Sequence, residues 1–334
     1  MPLANVMRRF FQIDFARVIC IIWIVFVWHF NEILPIHYRF GNGPVHSLFN
    51  NVTISTLACF TFISGFCLSK YSFSTIRDVK HFYYKRFWRF YLLFVIAALL
   101  IVIHYYDFPS VSGCRSFFST ICGFSVFTKK PILTLWYMSM LLFFYLLTPV
   151  IRYHNNPKIT IAVSVLLFAA FCLLYYNGRC DKRLLWYFPV YVLGLLAAKP
   201  LIRNVSISKV LCSIPSLSIV LLLYIALCFL GKRGLFWSYA YIFLGVWLIL
   251  GSCFRFYADW MRGVVSFISY ISLCLYLFHR LLFPLVLLFW GKALPNNEHY
   301  LPLSYIPFAI ILIVGLSYLI QKGYDRVVTS KLIA

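Results

Sequence analysis

Residues 11–34 read FQIDFARVICIIWIVFVWHFNEIL, an apolar run interrupted by Asp14 and Arg17 near one end and by His29 and Glu32 near the other. At ~1.5 Å of rise per helical residue, such a run exceeds the ~20 residues that cross a ~30 Å hydrocarbon core. Comparable runs recur at 52–69, 88–106, 132–151, 159–176, 184–199, 210–230, 235–254, 264–290 and 301–320. They predict an all-α, polytopic membrane protein, a bundle of about ten transmembrane helices. Composition agrees, with 63% of the 334 residues hydrophobic, 11% charged and a mean hydropathy of +0.88. Soluble domains are roughly half apolar and a quarter charged, so a soluble fold is excluded. No Pro/Gly/Ser-rich linker or fixed-period repeat divides the chain, and residues 1–334 are expected to form a single transmembrane domain.

The first run follows Arg8-Arg9, as a secretory signal would. It is long, lacks a small-residue cleavage pattern and precedes nine further runs, so it reads as a retained signal anchor. With the N-terminus in the cytoplasm, inside segments and the run ends beside them hold 18 of the 30 basic residues, outside segments hold 10, and Arg17 and Arg280 lie deeper within runs. The excess predicts that both termini are cytoplasmic. The loop 177–183, with Arg179, Lys182 and Arg183, runs against that rule. The net charge of +22 is dispersed over loops and forms no continuous stripe, which disfavours nucleic acid and points to membrane lipids. The densest cluster, Lys70 to Arg89, sits at a helix entrance and is a candidate for holding a phosphorylated ligand. Most of the eleven cysteines fall inside apolar runs. Cys114, Cys122 and Cys180, in or beside outside loops, are the candidates for one disulfide. No CxxC or His/Cys ligand spacing occurs, so no metal is expected.

Charges inside a bilayer are costly and mark functional sites or buried partners. On the first run, the step from Arg17 to His29 spans ~18 Å of helix, which suits a long cofactor arm. A histidine there can act as a general base, with Glu32 one turn on. The competing structural reading is that Arg17 snorkels to the interface and His29 bonds a neighbouring helix. At the third run, Arg86 and Arg89 are three apart and share a face of a regular helix. Two guanidinium forks suit a phosphate, although flanking topological charge explains them as well. On the ninth run, Ser272, Tyr276 and His279 follow steps of four and three and form a polar stripe. Arg280 and the kinking Pro284 after them suggest a helix that lines a cavity. The bland alternative is a stripe that glues helices together.

These residues, in this order, resemble the membrane-bound acyltransferase family 3, which includes bacterial O-acetyltransferases of surface polysaccharides. The family carries Arg and His on its first span. A second span ends in a phenylalanine-rich Ser-Gly-Phe, here Phe60-Thr-Phe62-Ile-Ser64-Gly65-Phe66. An Arg-x-x-Arg follows (Arg86 and Arg89), then a Trp-Tyr (Trp136-Tyr137) and a terminal serine-tyrosine-histidine pattern, here Ser272 to His279. The resemblance implies transfer of an acyl group, usually acetyl, from cytoplasmic acetyl-CoA or another acyl-CoA to a glycan or lipid-linked saccharide hydroxyl, by a multi-pass protein of the inner (plasma) membrane. His29 would be the base, with Glu32, Ser272, Tyr276 and His279 around the reaction centre. Arg17, Arg86, Arg89, Trp136 and Tyr137 would stand on the donor side. The periplasmic hydrolase-like domain that some relatives append is expected to be absent. A non-enzymatic exporter of glycan or lipid-linked sugar, whose permeation path is lined by the same polar residues, is the alternative. A structural scaffold is disfavoured by the intramembrane charges.

Two departures from the family pattern stand out. Eleven residues, not ten, separate Arg17 from His29, which leaves the two about 120° apart on a regular helix. A π-bulge between them would absorb the extra residue. Leu92 stands where many relatives have a proline, which bears on the local bend rather than the chemistry.

Overall fold

The computed structural model describes residues 11–34, 43–106, 109–128, 132–203, 212–230, 234–291 and 305–333. The fold is all-α: 87% is helical, and among the described residues no strand forms. Helix α1 (Phe11–Ile22) continues through a π-helical segment (Trp23–His29) into a 3-10 turn (Phe30–Ile33). Then come α2 (Pro44–Leu68), α3 (Ile76–Arg86), a second π segment (Phe87–Tyr91), α4 (Leu92–Tyr105), α5 (Val111–Ile121) and α6 (Leu135–Ile151). The chain continues with α7 (Pro157–Tyr176), α8 (Lys182–Arg203), α9 (Ile214–Leu230), α10 (Leu235–Phe256), α11 (Arg262–Gly291) and α12 (Ile306–Ile333).

Each of the ten apolar runs overlaps a helix. Among the described residues, seven helical stretches are both long and apolar enough to cross a membrane; α6 and α9 are apolar but shorter. Only 17% of the α7 window is buried, and Ile161, Val165, Leu166 and Leu173 stand exposed, as a helix bathed in lipid requires. Two of the stretches between the apolar runs also contain helices. The stretch 70–87 forms α3, whose start is fixed by Thr75 and Asp78. Each side chain bonds the other's backbone N–H, a capping box written in the sequence as Thr-x-x-Asp. The stretch 107–131 contains α5, capped by Ser110. The candidate disulfide is not formed. Cys114 and Cys180 instead donate weakly to backbone carbonyls of their own segments, Pro109 and Phe171, and all eleven thiols are free.

The centre of the bundle is the crossing of α2 with α8. Gly65 and Gly194 set its closeness: a Cβ on Gly65 would run into the Tyr191 carbonyl oxygen, and one on Gly194 into that of Phe62. Two backbones in direct contact give small-residue helix packing, the means by which helices associate when lipid removes the hydrophobic drive between them. The Ser64-Gly65-Phe66 motif therefore has a packing role at its glycine. Gly65→Ala, which cannot be accommodated by a flexible side chain moving away, is expected to lower the yield of folded protein sharply. Size-exclusion profile and thermal aggregation temperature of the detergent-solubilised variant check this.

Candidate active site

Arg17 and His29 lie on the same transmembrane segment, and the extra residue between them decides how they face. The structure absorbs it in the Trp23–His29 π segment, where the Phe30 N–H reaches back five residues to the Val25 carbonyl. The result is that both side chains meet one helix, α11. Arg17 donates to the Ser269 hydroxyl at 3.2 Å and pairs with Asp14 at 3.1 Å, while Ser269 also donates to Asp14 at 3.1 Å. His29 meets His279, with Nδ1 3.0 Å from His279 Nε2. Ser269 and His279 are ten residues apart, so these two contacts lie about 15 Å apart along the bundle.

The histidine pair has a defined proton order. His279 Nδ1 sits 2.8 Å from the Tyr276 carbonyl and 3.0 Å from that of Leu275. Carbonyls only accept, so this nitrogen carries the hydrogen. In the neutral pair His279 Nε2 then presents a lone pair, and His29 Nδ1 must be the donor across the 3.0 Å contact. His29 Nε2 is left with a lone pair of its own. A backbone-anchored imidazole thus orients a second imidazole and makes its far nitrogen basic, as the third member of a catalytic triad orients the base.

Two cavities flank this arrangement. The first, of about 290 Å³, is lined by Arg17, Ser64, Arg86, Tyr137, Ser272 and Tyr276 among others. The second, of about 590 Å³, is lined by His29, Trp28, Trp136, Arg183, Tyr276 and Arg280 among others. Tyr276 belongs to both walls. Its hydroxyl donates to the Thr134 carbonyl at 2.9 Å. Thr134 holds a φ of 46°, a costly conformation for a β-branched residue, and a tight turn joins the Leu135 N–H to the Leu133 carbonyl around it. The strained turn thus directs a carbonyl at the one side chain shared by the two cavities.

The site residues expected from sequence separate accordingly. His29, His279 and Tyr276 come together. Ser272 does not join the histidines: it lines the first cavity with Tyr276 and donates to the Ser269 carbonyl at 2.8 Å. Trp136 and Tyr137, read as a pair, part company. Tyr137 lines the first cavity, its hydroxyl 3.1 Å from both Thr61 Oγ1 and the Leu57 carbonyl, whereas Trp136 lines the second under the Arg183 guanidinium at 4.2 Å. Arg86 lines the first cavity within a cage of Tyr71, Phe82 and Tyr145 rings, 5.4–6.0 Å from its guanidinium carbon. Arg89 does not join it and is exposed. The Phe87–Tyr91 π segment, closed by the Leu92 N–H to Phe87, turns fewer degrees per residue than an α-helix, so residues three apart no longer share a face. That bond uses an N–H that a proline at position 92 would lack. Glu32 lies in the 3-10 turn after His29, with its side chain outside the described residues. Asp14, Ser269 and the Thr134 turn were missed from sequence. Asp14 carried a signal in its three-residue spacing from Arg17, and Ser269 in its place three residues before Ser272.

A family model described as an acyltransferase domain matches residues 10–322. The chain therefore belongs to acyltransferase family 3, and it is a multi-pass membrane acyltransferase. Neither curated proteins nor solved structures give a match to it.

Proposed function

We propose that the chain moves an acyl group, acetyl in the simplest case, from cytoplasmic acyl-CoA to a hydroxyl of a cell-surface or lipid-linked glycan. In this reading it sits in the inner (plasma) membrane with both termini in the cytoplasm. The observation that carries the proposal is the oriented His29–His279 pair, whose His29 lines the second cavity beside Tyr276, the side chain that also lines the first. The first cavity, with Arg17 and Arg86 at its wall, takes the donor, whose phosphates suit a guanidinium fork. The second takes the acceptor. His29 Nε2 accepts the proton of the acceptor hydroxyl as its oxygen attacks the thioester carbon. Collapse of the tetrahedral intermediate breaks the C–S bond, and the departing thiolate takes the proton back from His29. Tyr276 lines both cavities, and its hydroxyl suits stabilisation of the developing oxyanion once it exchanges the Thr134 carbonyl for that oxygen.

The experiment combines binding and turnover. Purified full-length protein in proteoliposomes should bind CoA and transfer label from acetyl-CoA to a saccharide. A glycan exporter would transport saccharide without binding CoA. Absence of both CoA binding and transfer would overturn the acyltransfer reading.

A further inference from the structure

The basic residues of the loop 177–183 run against the topological charge rule, and the structure gives two of them another role. Lys182 and Arg183 open α8 and line the second cavity beside His29. The Arg183 guanidinium carbon stands over the Trp136 ring at 4.2 Å, and the Lys182 ammonium over the Trp186 ring at 4.9 Å. Arg280 lines the same cavity. Among its described lining residues there is no carboxylate. The nearest acid in sequence, Asp181, accepts the Arg183 backbone N–H at 2.8 Å and lies 3.6 Å from the Arg183 Nε. Lys182 and Arg183 thus set two cations against the Asp181 carboxylate at the α8 end of a cavity of about 590 Å³. That volume lies in the range of small-molecule sites, about 300–1,000 Å³.

From this chemistry we infer that the acceptor is an anionic saccharide, a sugar bearing a carboxylate or a phosphate. The inference rests on assigning the second cavity to the acceptor. Trp136 and Trp186 hold the two cations, and Trp28 on the same wall adds an aromatic surface for the C–H face of a pyranose. Held over Trp136, the Arg183 guanidinium carries the N–H fork that recognises a carboxylate or phosphate in bidentate fashion. A low-dielectric cavity of one sign also concentrates ligands of the opposite sign. Anchoring the anionic group at the α8 end places the sugar's remaining hydroxyls along the wall that includes His29.

The test reads saccharide binding alone, so it is independent of acyl transfer. Full-length protein in nanodiscs is titrated with glucuronate, glucose 6-phosphate and glucose, with tryptophan fluorescence as the readout. An anionic sugar should bind at least about tenfold more tightly than glucose, with the preference shrinking as salt is raised. The Lys182→Gln/Arg183→Gln double variant should bring the sugars to within about twofold, while Arg183→Lys, which keeps the charge but loses the planar fork, should keep only part of the preference. Preference for glucuronate identifies the anionic group as a carboxylate, and preference for the phosphate sugar alone points to a phosphate-bearing saccharide. Equal binding of all three sugars, or binding of none, overturns the inference. Either result leaves acyl transfer itself to be judged by CoA binding and turnover.

Discussion

His29→Ala should abolish acyl transfer, with kcat reduced by about 10³-fold or more, while CoA binding stays within about twofold of wild type. The two parts of this expectation come from one geometric fact: His29 lines the second cavity, whereas Arg17 and Arg86 line the first. A base that touches only the reacting atoms removes catalysis without removing donor affinity. His279→Ala should have a smaller effect, roughly 10–100-fold in kcat, because it orients His29 without touching substrate, much as groups behind a metal ligand do. Pre-steady-state measurement with labelled acyl-CoA separates the two contributions. Equal losses in the two variants would mean that both rings contact the reacting atoms, and full activity in His29→Ala would remove His29 from the mechanism.

The second large effect concerns donor affinity. Arg86→Ala should raise the KM for acyl-CoA by about tenfold or more, since truncating a held guanidinium facing a phosphate costs ~2–5 kcal/mol. Arg86→Lys should recover little, because an ammonium lacks the planar fork and does not stack in the Tyr71, Phe82 and Tyr145 cage. Arg89→Ala should change KM by no more than about twofold, the response usual for an exposed cation away from the site. Steady-state titrations of the three variants against acyl-CoA check this. A matching KM increase in Arg89→Ala would show that the second arginine swings into the cavity when donor binds.

Much of the fold was legible because a bilayer enforces hydrogen-bonded helices, and apolar length then marks each one. What the runs alone did not reveal is how much structure lies between them. Helix α3 sits in a stretch too polar to read as a span, although its Thr75-x-x-Asp78 cap was written in the sequence. At the site, Arg17, His29, Tyr276 and His279 were legible as intramembrane polar groups in a recognisable order. The extra residue between Arg17 and His29 pointed to a π-bulge, and a π segment stands there. The same device misled the reading at Arg86 and Arg89, where helical spacing was assumed and the Phe87–Tyr91 segment breaks it. Nothing in a span of adjacent residues says that Trp136 and Tyr137 face different cavities. That depends on where α11 and α8 pack against α6, which is long-range information. The strained Thr134 turn was equally hidden, because the sequence Leu-Thr-Leu carries no glycine or asparagine to signal a positive φ.

The proposed mechanism holds a donor on one side of Tyr276 and an acceptor on the other. The most direct measurement uses proteoliposomes with labelled acyl-CoA confined to one compartment and a saccharide acceptor sealed in the other. Labelled acceptor should accumulate opposite the donor, with no acyl-CoA crossing, and His29→Ala should stop it. Transfer that occurs only when donor and acceptor share a compartment would contradict the account.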